Sequence, residues 1–329
     1  MSSALPSLRL VTEAQAPTGP RPTEPAPDAI NEADRPTEPI ACLVPSVPIE
    51  RYLDRAQEEI DSLRAEVNVL RRRDETLKFY MHRLDEELRL AARLQQDFLP
   101  KLLPQVGNIT FHTLYRPAGY VSGDLYDVMR LDERNVGFYM ADAVGHGMPA
   151  ALLTMFLKNA LVTKDISPAG YRLLSPAQTM KRLNDALVEQ NLSQATFATA
   201  VYGYVNSATL RMTFARGGHP SPILLGTDGN VQSLEADGSL LGIFPDEAFG
   251  ETTVQLHPGD RVFVFTDGIE VAFSDDQQMD VQRWRDELLK RRHLSTPDLI
   301  NDFAQHLDTE MGSITPKDDL TMVVLEVKA

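Results

Sequence analysis

Residues 136–147 read Val-Gly-Phe-Tyr-Met-Ala-Asp-Ala-Val-Gly-His-Gly and join an apolar run to an aspartate and a glycine-rich segment. The apolar run predicts a buried strand that ends at Asp142. Gly145 and Gly147 suit a tight turn, and Pro149 suits the first turn of a following helix. The stretch therefore predicts a strand–turn–helix unit that presents a carboxylate at the end of its strand.

Three further segments place an aspartate at a strand end, beside glycine or another acid. They are Ser122-Gly123-Asp124, which opens a strand, Thr266-Asp267-Gly268, which follows one, and Asp318-Asp319, which precedes one. Each has an ordinary explanation by itself, because Asp-Gly after a strand is usually a turn and paired aspartates are often a solvated loop. Asp142 alone could likewise cap a helix.

The four carboxylates together make a metal site a candidate, and at this point the ordinary explanations stay open beside it. Mg²⁺ and Mn²⁺ prefer oxygen ligands, and a pair of such ions can activate a water and hold a phosphoryl group for in-line attack. Other catalytic patterns are missing, since the chain has no Gly-x-Ser-x-Gly elbow, no Walker-type loop and no His-x-x-x-His pair.

The surrounding segment, residues 108–329, predicts one α+β domain. Strands are expected at 109–115, 125–131, 136–142, 197–205, 210–216, 222–226, 261–266 and 320–327, and helices at about 149–164, 176–190, 281–291 and 297–311. Residues 132–135 and 227–230 have the composition of hairpin loops. Because many strands follow in meander order with helices inserted in pairs, we expect antiparallel sheets covered by helices.

The N-terminal part divides into a tail, residues 1–50, and a helical segment, residues 51–99. Ten of the 22 prolines lie in the tail, so disorder is expected there, although the apolar residues near Leu43 could form a docking motif. In the helical segment, apolar residues recur at heptad spacing. The a positions are Leu53, Ile60, Val67, Asp74, Met81 and Leu88, and the d positions are Ala56, Leu63, Leu70, Leu77, Leu84 and Ala91. This pattern favours a parallel two-stranded coiled coil over residues 51–91, hence a homodimer.

Charges partly support that coil. Glu59 would face Arg64 and Glu66 would face Arg71 across the dimer, whereas Asp74 falls in the core seam and weakens it locally. The alternative is a single amphipathic helix packed on its own domain.

Composition excludes several classes of protein. The single cysteine, Cys42, rules out a disulfide framework and a cysteine-based zinc site. No run of 18 apolar residues and no secretory signal pattern is present, which predicts a cytoplasmic protein. A net charge of −15 disfavours nucleic acid and anionic membranes as partners.

Five ordered motifs resemble the SpoIIE/RsbU branch of the PPM metal-dependent serine/threonine phosphatases, over about residues 88–328. They are residues 122–127, 142–147, 215–222, 266–268 and 318–321. Two departures are small: Ser122 stands where a second glycine is usual, and Arg216 stands where a small polar residue is common. The segment 90–100 is similar to the one that couples a regulatory module to the catalytic domain in this family.

The resemblance implies an α-β-β-α sandwich, residues 100–329, that holds two Mn²⁺ or Mg²⁺ ions. By position, the catalytic carboxylates are those of Asp142, Asp267 and Asp318. The metal ligands are these three, the backbone carbonyl of Ala143, and Asp124 for the second ion. Asp127 would support the site, and His146 and His219 would be structural.

The resemblance also implies hydrolysis of phosphoserine or phosphothreonine by direct attack of water, without a phosphoenzyme. The implied substrate is a STAS-type anti-sigma-factor antagonist in a partner-switching pathway. We expect the regulatory input to be the coiled coil itself or an activating protein that docks on it. One alternative is a non-catalytic coiled-coil scaffold. Another is a different two-metal hydrolase such as a nuclease, which the acidic composition disfavours.

Overall fold

A computed structural model describes residues 48–168, 170–192, 196–272, 281–310 and 318–329. The predicted disorder of the tail and the possible docking motif near Leu43 lie outside these residues. By its backbone contacts the chain divides within its first helix, between Leu70 and Arg71. The domain boundaries expected at 50/51 and 99/100 stay predictions.

Six helices and twelve strands are present in the described residues. The helices are α1 Ile49–Phe98, α2 Met148–Ala160, α3 Pro176–Glu189, α4 Asp267–Ala272, α5 Val281–Lys290 and α6 Thr296–Glu310. The strands are β1 Ile109–Arg116, β2 Asp124–Arg130, β3 Asn135–Ala143, β4 Lys164–Ser167, β5 Gly170–Leu173, β6 Ala198–Asn206, β7 Arg211–Gly217, β8 Ile223–Leu225, β9 Val231–Ser233, β10 Thr252–Gln255, β11 Arg261–Phe265 and β12 Leu320–Val327. None of the described helices has the length and apolar character that a membrane crossing requires.

The strands form two antiparallel sheets of five, with β4 and β5 as a separate hairpin. The strand orders are β1-β12-β11-β8-β9 and β10-β7-β6-β3-β2. The hairpin loops predicted at 132–135 and 227–230 are confirmed, because β2 pairs with β3 and β8 pairs with β9. The expectation of antiparallel sheets covered by helices is therefore confirmed in the described residues.

Side-chain alternation along β11 shows how the layers stack. Val262 and Val264 belong to the core that the two sheets share, whereas Phe263 and Phe265 belong to a second core with α5 and α6. Trp284 is fully buried in that second core, with its ring 5.6 Å from the ring of Phe265. On the other sheet, α2 and α3 cover β2, β3, β6 and β7. The order of layers is α-β-β-α, which agrees with the resemblance.

The structure corrects one helix. The helix predicted at 149–164 ends at Ala160, because Leu161 is extended and Lys164 begins the β4–β5 hairpin. The short elements β4, β5, β9, β10 and α4 were not predicted, since they lack the unbroken apolar run that marks the equally short strands β8 and β11.

Helix α1 is continuous over 50 residues, Ile49–Phe98, so it contains residues 51–91 and ends one residue before the predicted end of the helical segment. Its heptad leucines from Leu53 to Leu84 are solvent-exposed in the single chain: Leu63 is 53% exposed and Leu77 is 61% exposed.

Gly203 on β6 supplies a prediction about the sheet core. It lies between Phe138 and Phe214 on the neighbouring strands, and an added Cβ would be 2.4 Å from Phe138 Cζ and 2.7 Å from Phe214 Cβ. We expect Gly203→Ala to lower the free energy of unfolding by about 1–3 kcal/mol, because overpacking displaces buried rings. Urea denaturation measures this change.

Gly119→Ala is the matched control, since the nearest atom to its added Cβ would be 3.7 Å away. We expect it to change the free energy of unfolding by less than about 0.5 kcal/mol. Equal effects of the two substitutions would contradict the packing described for Gly203.

Candidate metal centre

Three of the predicted carboxylates converge where the ends of the two sheets meet. Asp142 lies near the end of β3, Asp267 is the first residue of α4, with one residue between it and the end of β11, and Asp318 precedes β12. Burial raises the pKa of Asp142 to about 8, and the charges of Asp267 and Asp318 contribute to the rise. Burial, and next the charge of Asp318, also raise the pKa of Asp267. These mutual effects show that the three carboxylates form one cluster.

Asp124 is fully enclosed beside that cluster. It opens β2 opposite Asp142 of β3, so the two side chains share a face of the sheet. Its Oδ2 accepts hydrogen bonds from Thr266 Oγ1 at 2.8 Å and from Thr321 Oγ1 at 2.5 Å. Burial, and then the charge of Asp142, raise its pKa well above the ordinary value. Asp124 therefore ties β2 to the ends of β11 and β12 in the other sheet.

Thr266 and Thr321 lie within the motifs 266–268 and 318–321, but the sequence pattern alone did not indicate their function. Their positions could have indicated it, since Thr266 immediately precedes Asp267 and Thr321 follows the Asp318-Asp319 pair. A hydroxyl at each strand end supplies the donor that a buried carboxylate needs.

The adjacent aspartates Asp318 and Asp319 have different surroundings. Asp319 is buried, and its carboxylate accepts hydrogen bonds from the backbone N–H groups of Ala118 at 2.7 Å and Gly123 at 2.6 Å. Asp318 is exposed, and its Oδ1 accepts a hydrogen bond from the Asp319 backbone N–H. Asp319 therefore fixes the loop before β2, while the carboxylate of Asp318 remains available to a cation.

Close backbone approach explains two glycines at the centre. A Cβ on Gly268 would lie 2.0 Å from the carbonyl oxygen of Asp319, and one on Gly123 would lie 3.2 Å from the carbonyl oxygen of Ala143. Ala143 is buried and donates its N–H to the Gly123 carbonyl at 2.9 Å. Small residues thus allow the segments that carry Asp124, Asp267 and Asp318 to meet.

The end of α1 also holds the loop before β2. Gln95 is buried; its Nε2 donates to the Ser122 carbonyl at 2.7 Å, and its Oε1 accepts from the Ser122 N–H at 2.9 Å. Earlier in the same helix, Asp85 accepts a hydrogen bond from the Tyr120 hydroxyl. The segment 90–100 therefore contacts the loop that leads directly into Asp124.

Other residues named from the sequence lie apart from the cluster or serve structure. Asp127 points to the opposite face of β2 from Asp124 and forms an ion pair with Lys158 of α2 at 2.5 Å. His219 is fully buried, with Nδ1 2.8 Å from Thr199 Oγ1, and burial lowers its pKa to about 3, so it is uncharged. His146 is exposed on the glycine-rich turn.

The donor set fits a divalent cation. Oxygen ligands suit Mg²⁺ and Mn²⁺, and a cation would offset the repulsion that raises the pKa values of Asp142 and Asp267. Among the residues that the structure describes, no group of three or more His, Cys, Asp or Glu side chains is arranged so that it could hold a metal ion as it stands. Mg²⁺ does not need one, because it keeps several waters and takes only one or two carboxylates.

Comparison with known proteins gives the family. The model of the family named Stage II sporulation protein E (SpoIIE) matches residues 132–328. The phosphoserine phosphatase RsbU of Bacillus subtilis is 28% identical over 258 residues, which cover 77% of this chain and 74% of RsbU. The phosphoserine phosphatase RsbP of the same organism is 30% identical over 187 residues, 56% of this chain and 45% of RsbP.

A solved structure agrees on the fold. The SiaA-PP2C domain of Pseudomonas aeruginosa superposes with a TM-score of 0.64 at 24% identity, covering 75% of this chain and 98% of that domain. The chain belongs to the SpoIIE family. Its fold is that of a PP2C domain.

The raised pKa of Asp142 predicts a pH-dependent stability for the metal-free protein. Between the ordinary aspartate pKa of about 4 and a folded pKa of about 8, the folded chain keeps a proton that the unfolded chain releases. Stability is therefore lost as pH rises through this window. Asp142→Asn removes that loss, so its advantage in free energy of unfolding over the wild type should grow by up to about 1 kcal/mol per pH unit.

Urea denaturation in EDTA at about pH 5 and about pH 8 measures this difference. The control is Asp246→Asn, because the side chain of Asp246 is fully exposed. An advantage of Asp142→Asn that does not change with pH would contradict the raised pKa of Asp142.

The contacts of Gln95 predict an effect on metal affinity. Gln95→Leu removes both hydrogen bonds to Ser122 and loosens the loop before Asp124. We expect Mn²⁺ binding to weaken by about tenfold, as for other residues that orient metal ligands. Isothermal titration with Mn²⁺ measures it, and Gln96→Leu, at an exposed neighbouring position, should leave the affinity unchanged. Equal affinities for both variants would show that the contact does not support the site.

Proposed function

We propose that this chain hydrolyses phosphoserine or phosphothreonine in a protein substrate. The observation that carries the proposal is the cluster of Asp142, Asp267 and Asp318, which raises carboxylate pKa values at the meeting point of two sheets. The named activity of RsbU and RsbP, both phosphoserine phosphatases, supports it.

The cluster would hold two Mn²⁺ or Mg²⁺ ions through Asp142, Asp267, Asp318 and the backbone carbonyl of Ala143. Asp124 would help hold the second ion, at the cost of part of its bonding to Thr266 and Thr321. Such ions, when bound, activate water towards phosphorus and neutralise phosphoryl charge. The protein itself positions the carboxylates, because Asp319 and the glycines hold the segments that carry them together.

A cleft beside the cluster can admit the substrate. It has a volume of about 330 Å³, and Asp142 and Asp267 lie in its wall together with Thr199 and His219. The cleft is half-open, which suits a phosphorylated side chain presented on the surface of another protein. Attack by water on phosphorus requires no nucleophilic cysteine or serine from this chain.

The proposed substrate is a phosphorylated STAS-type anti-sigma-factor antagonist, which makes the chain part of a cytoplasmic partner-switching pathway. The support is the family and the similarity to RsbU and RsbP. An activating protein would act on α1, since α1 contacts the loop before Asp124 through Gln95.

We also infer that the chain is a homodimer through residues 51–91. The a and d side chains between Leu53 and Leu84 are exposed in one chain, including Leu63, Leu70 and Leu77 at 53–61%. Burying a leucine fully stabilises a protein by about 1.5–3 kcal/mol, so pairing of these faces would be favourable.

Activity with a phosphoserine protein substrate and Mn²⁺ tests the proposed reaction. We expect Asp142→Asn and Asp267→Asn each to reduce kcat by at least about 100-fold, because each removes a negative oxygen ligand. Asp246→Asn should retain full activity. Release of phosphate is the measurement. A folded, Mn²⁺-bound wild type without turnover would favour the scaffold, and turnover that survives both substitutions would place the chemistry elsewhere.

Light scattering with size-exclusion chromatography tests the dimer. We expect Leu70→Glu, at a d position, to give a monomer, because it places like charges in the seam. Val69→Glu is the matched control, since Val69 is equally exposed, at 51%, but lies at an outer c position. A wild type that is monomeric, or a dimer that Leu70→Glu leaves intact, would contradict this interface.

A further inference from the structure

We propose that Arg216 binds the phosphoryl group of the substrate, and that Glu235 holds the same guanidinium when no substrate is bound. This inference rests on the proposed phosphatase function and names the protein's own contact to the anion. Position, charge and hydrogen bonding each contribute to it.

Arg216 shares one cleft with the carboxylate cluster. The lining of the cleft, which has a volume of about 330 Å³, contains Asp142 and Asp267 as well as Arg216, Ser221 and Glu235. A sphere of that volume is roughly 9 Å across, which is close to the size of a phosphorylated side chain rather than of a large ligand. A phosphoryl group near Asp142 is therefore within reach of a long arginine side chain.

Charge singles out Arg216. It is the one lysine or arginine among the described residues that line the cleft, and His219 beside it is uncharged. The other ionisable groups of the lining are the carboxylates of Asp142, Asp267 and Glu235. A phosphate dianion that enters such a cleft is repelled unless positive charge meets it, and a guanidinium matches phosphate oxygens in geometry as well as charge.

Two hydrogen bonds orient the guanidinium of Arg216, and one of their acceptors can be exchanged for a substrate oxygen. Nη1 donates to the His219 carbonyl at 2.7 Å, which fixes the plane of the guanidinium to the loop after β7. Nη2 donates to Glu235 Oε2 at 2.9 Å. Nε is buried and has no hydrogen-bond partner within the described part of the chain. The guanidinium thus has a fixed anchor, one acceptor that can be replaced and one unused donor.

Glu235 has the properties of a replaceable partner. Its side chain is 64% exposed, whereas that of Arg216 is 24% exposed. A solvent-exposed ion pair contributes little to stability, so a phosphoryl group with more negative charge can displace the carboxylate. The second contact of Glu235, from Ser221 Oγ at 2.8 Å, keeps the carboxylate at the cleft wall.

Arg216 also departs from the pattern of the family motif in residues 215–222, where a small polar residue is common at this position. Arginine adds a charge that reaches into the cleft, and the Glu235 contact shows where that charge lies.

Steady-state kinetics with p-nitrophenyl phosphate and Mn²⁺ test the proposal, with inorganic phosphate as inhibitor. We expect Arg216→Ala to raise both KM and the inhibition constant of phosphate by about tenfold or more, as for loss of a charge-assisted hydrogen bond. Arg216→Lys should recover part of the loss. Glu235→Gln should lower both constants about two- to threefold, because it removes the competing carboxylate. Arg211→Ala, at an exposed arginine of the same strand, should match the wild type.

The two substitutions are expected to change KM in opposite directions, and this distinguishes substrate binding by Arg216 from a purely structural role. If Arg216 and Glu235 only brace the fold, Glu235→Gln would leave KM unchanged or raise it, and either result overturns the proposal. Unchanged constants in Arg216→Ala also overturn it. Calorimetric binding of inorganic phosphate to the Mn²⁺-loaded full chain gives a second readout. A wild type that binds phosphate through Arg216 but hydrolyses nothing would contradict the proposed function and support this inference.

Discussion

Repulsion between carboxylates is the constraint on which this site depends. The fold brings Asp142, Asp267 and Asp318 together in a partly buried position, where burial and mutual charge raise the pKa values of Asp142 and Asp267. Such an arrangement costs stability unless a cation is bound or a proton is retained. A cation bound at the meeting point of the two sheets, as the proposed function requires, would offset this cost.

The buried polar contacts around the cluster keep it from spreading apart. Asp124 joins the two sheets through Thr266 and Thr321, and Asp319 holds the loop before β2 by two backbone N–H groups. Gln95 of α1 holds the same loop from the other side. The centre is thus connected to both sheets and to the long helix, so a change in α1 has a direct physical route to Asp124.

Much of this arrangement could be predicted from residues that repeat a pattern. Long apolar runs predicted the main strands, and aspartates at their ends predicted the cluster of Asp142, Asp267 and Asp318. Short elements such as β4 and β9 could not be predicted, because they lack an unbroken apolar run such as the one in β8. The sequence also could not show which of the adjacent aspartates Asp318 and Asp319 is buried. The two residues are identical in type, and only the folded structure gives them different neighbours. Arg216 was noticed as a departure from the motif, but its contact with Glu235 joins residues 19 positions apart that only the structure brings together.

The most direct test of the account is an anomalous-scattering map from crystals of the full chain grown with Mn²⁺. The account predicts two peaks at the sheet ends, one contacting Asp142, Asp267 and Asp318, and the second contacting Asp142, the carbonyl of Ala143 and Asp124. Crystals of Asp142→Asn should lose both peaks while the fold is kept. A map without Mn²⁺ at these carboxylates, or with peaks only elsewhere on the chain, would contradict the central claim.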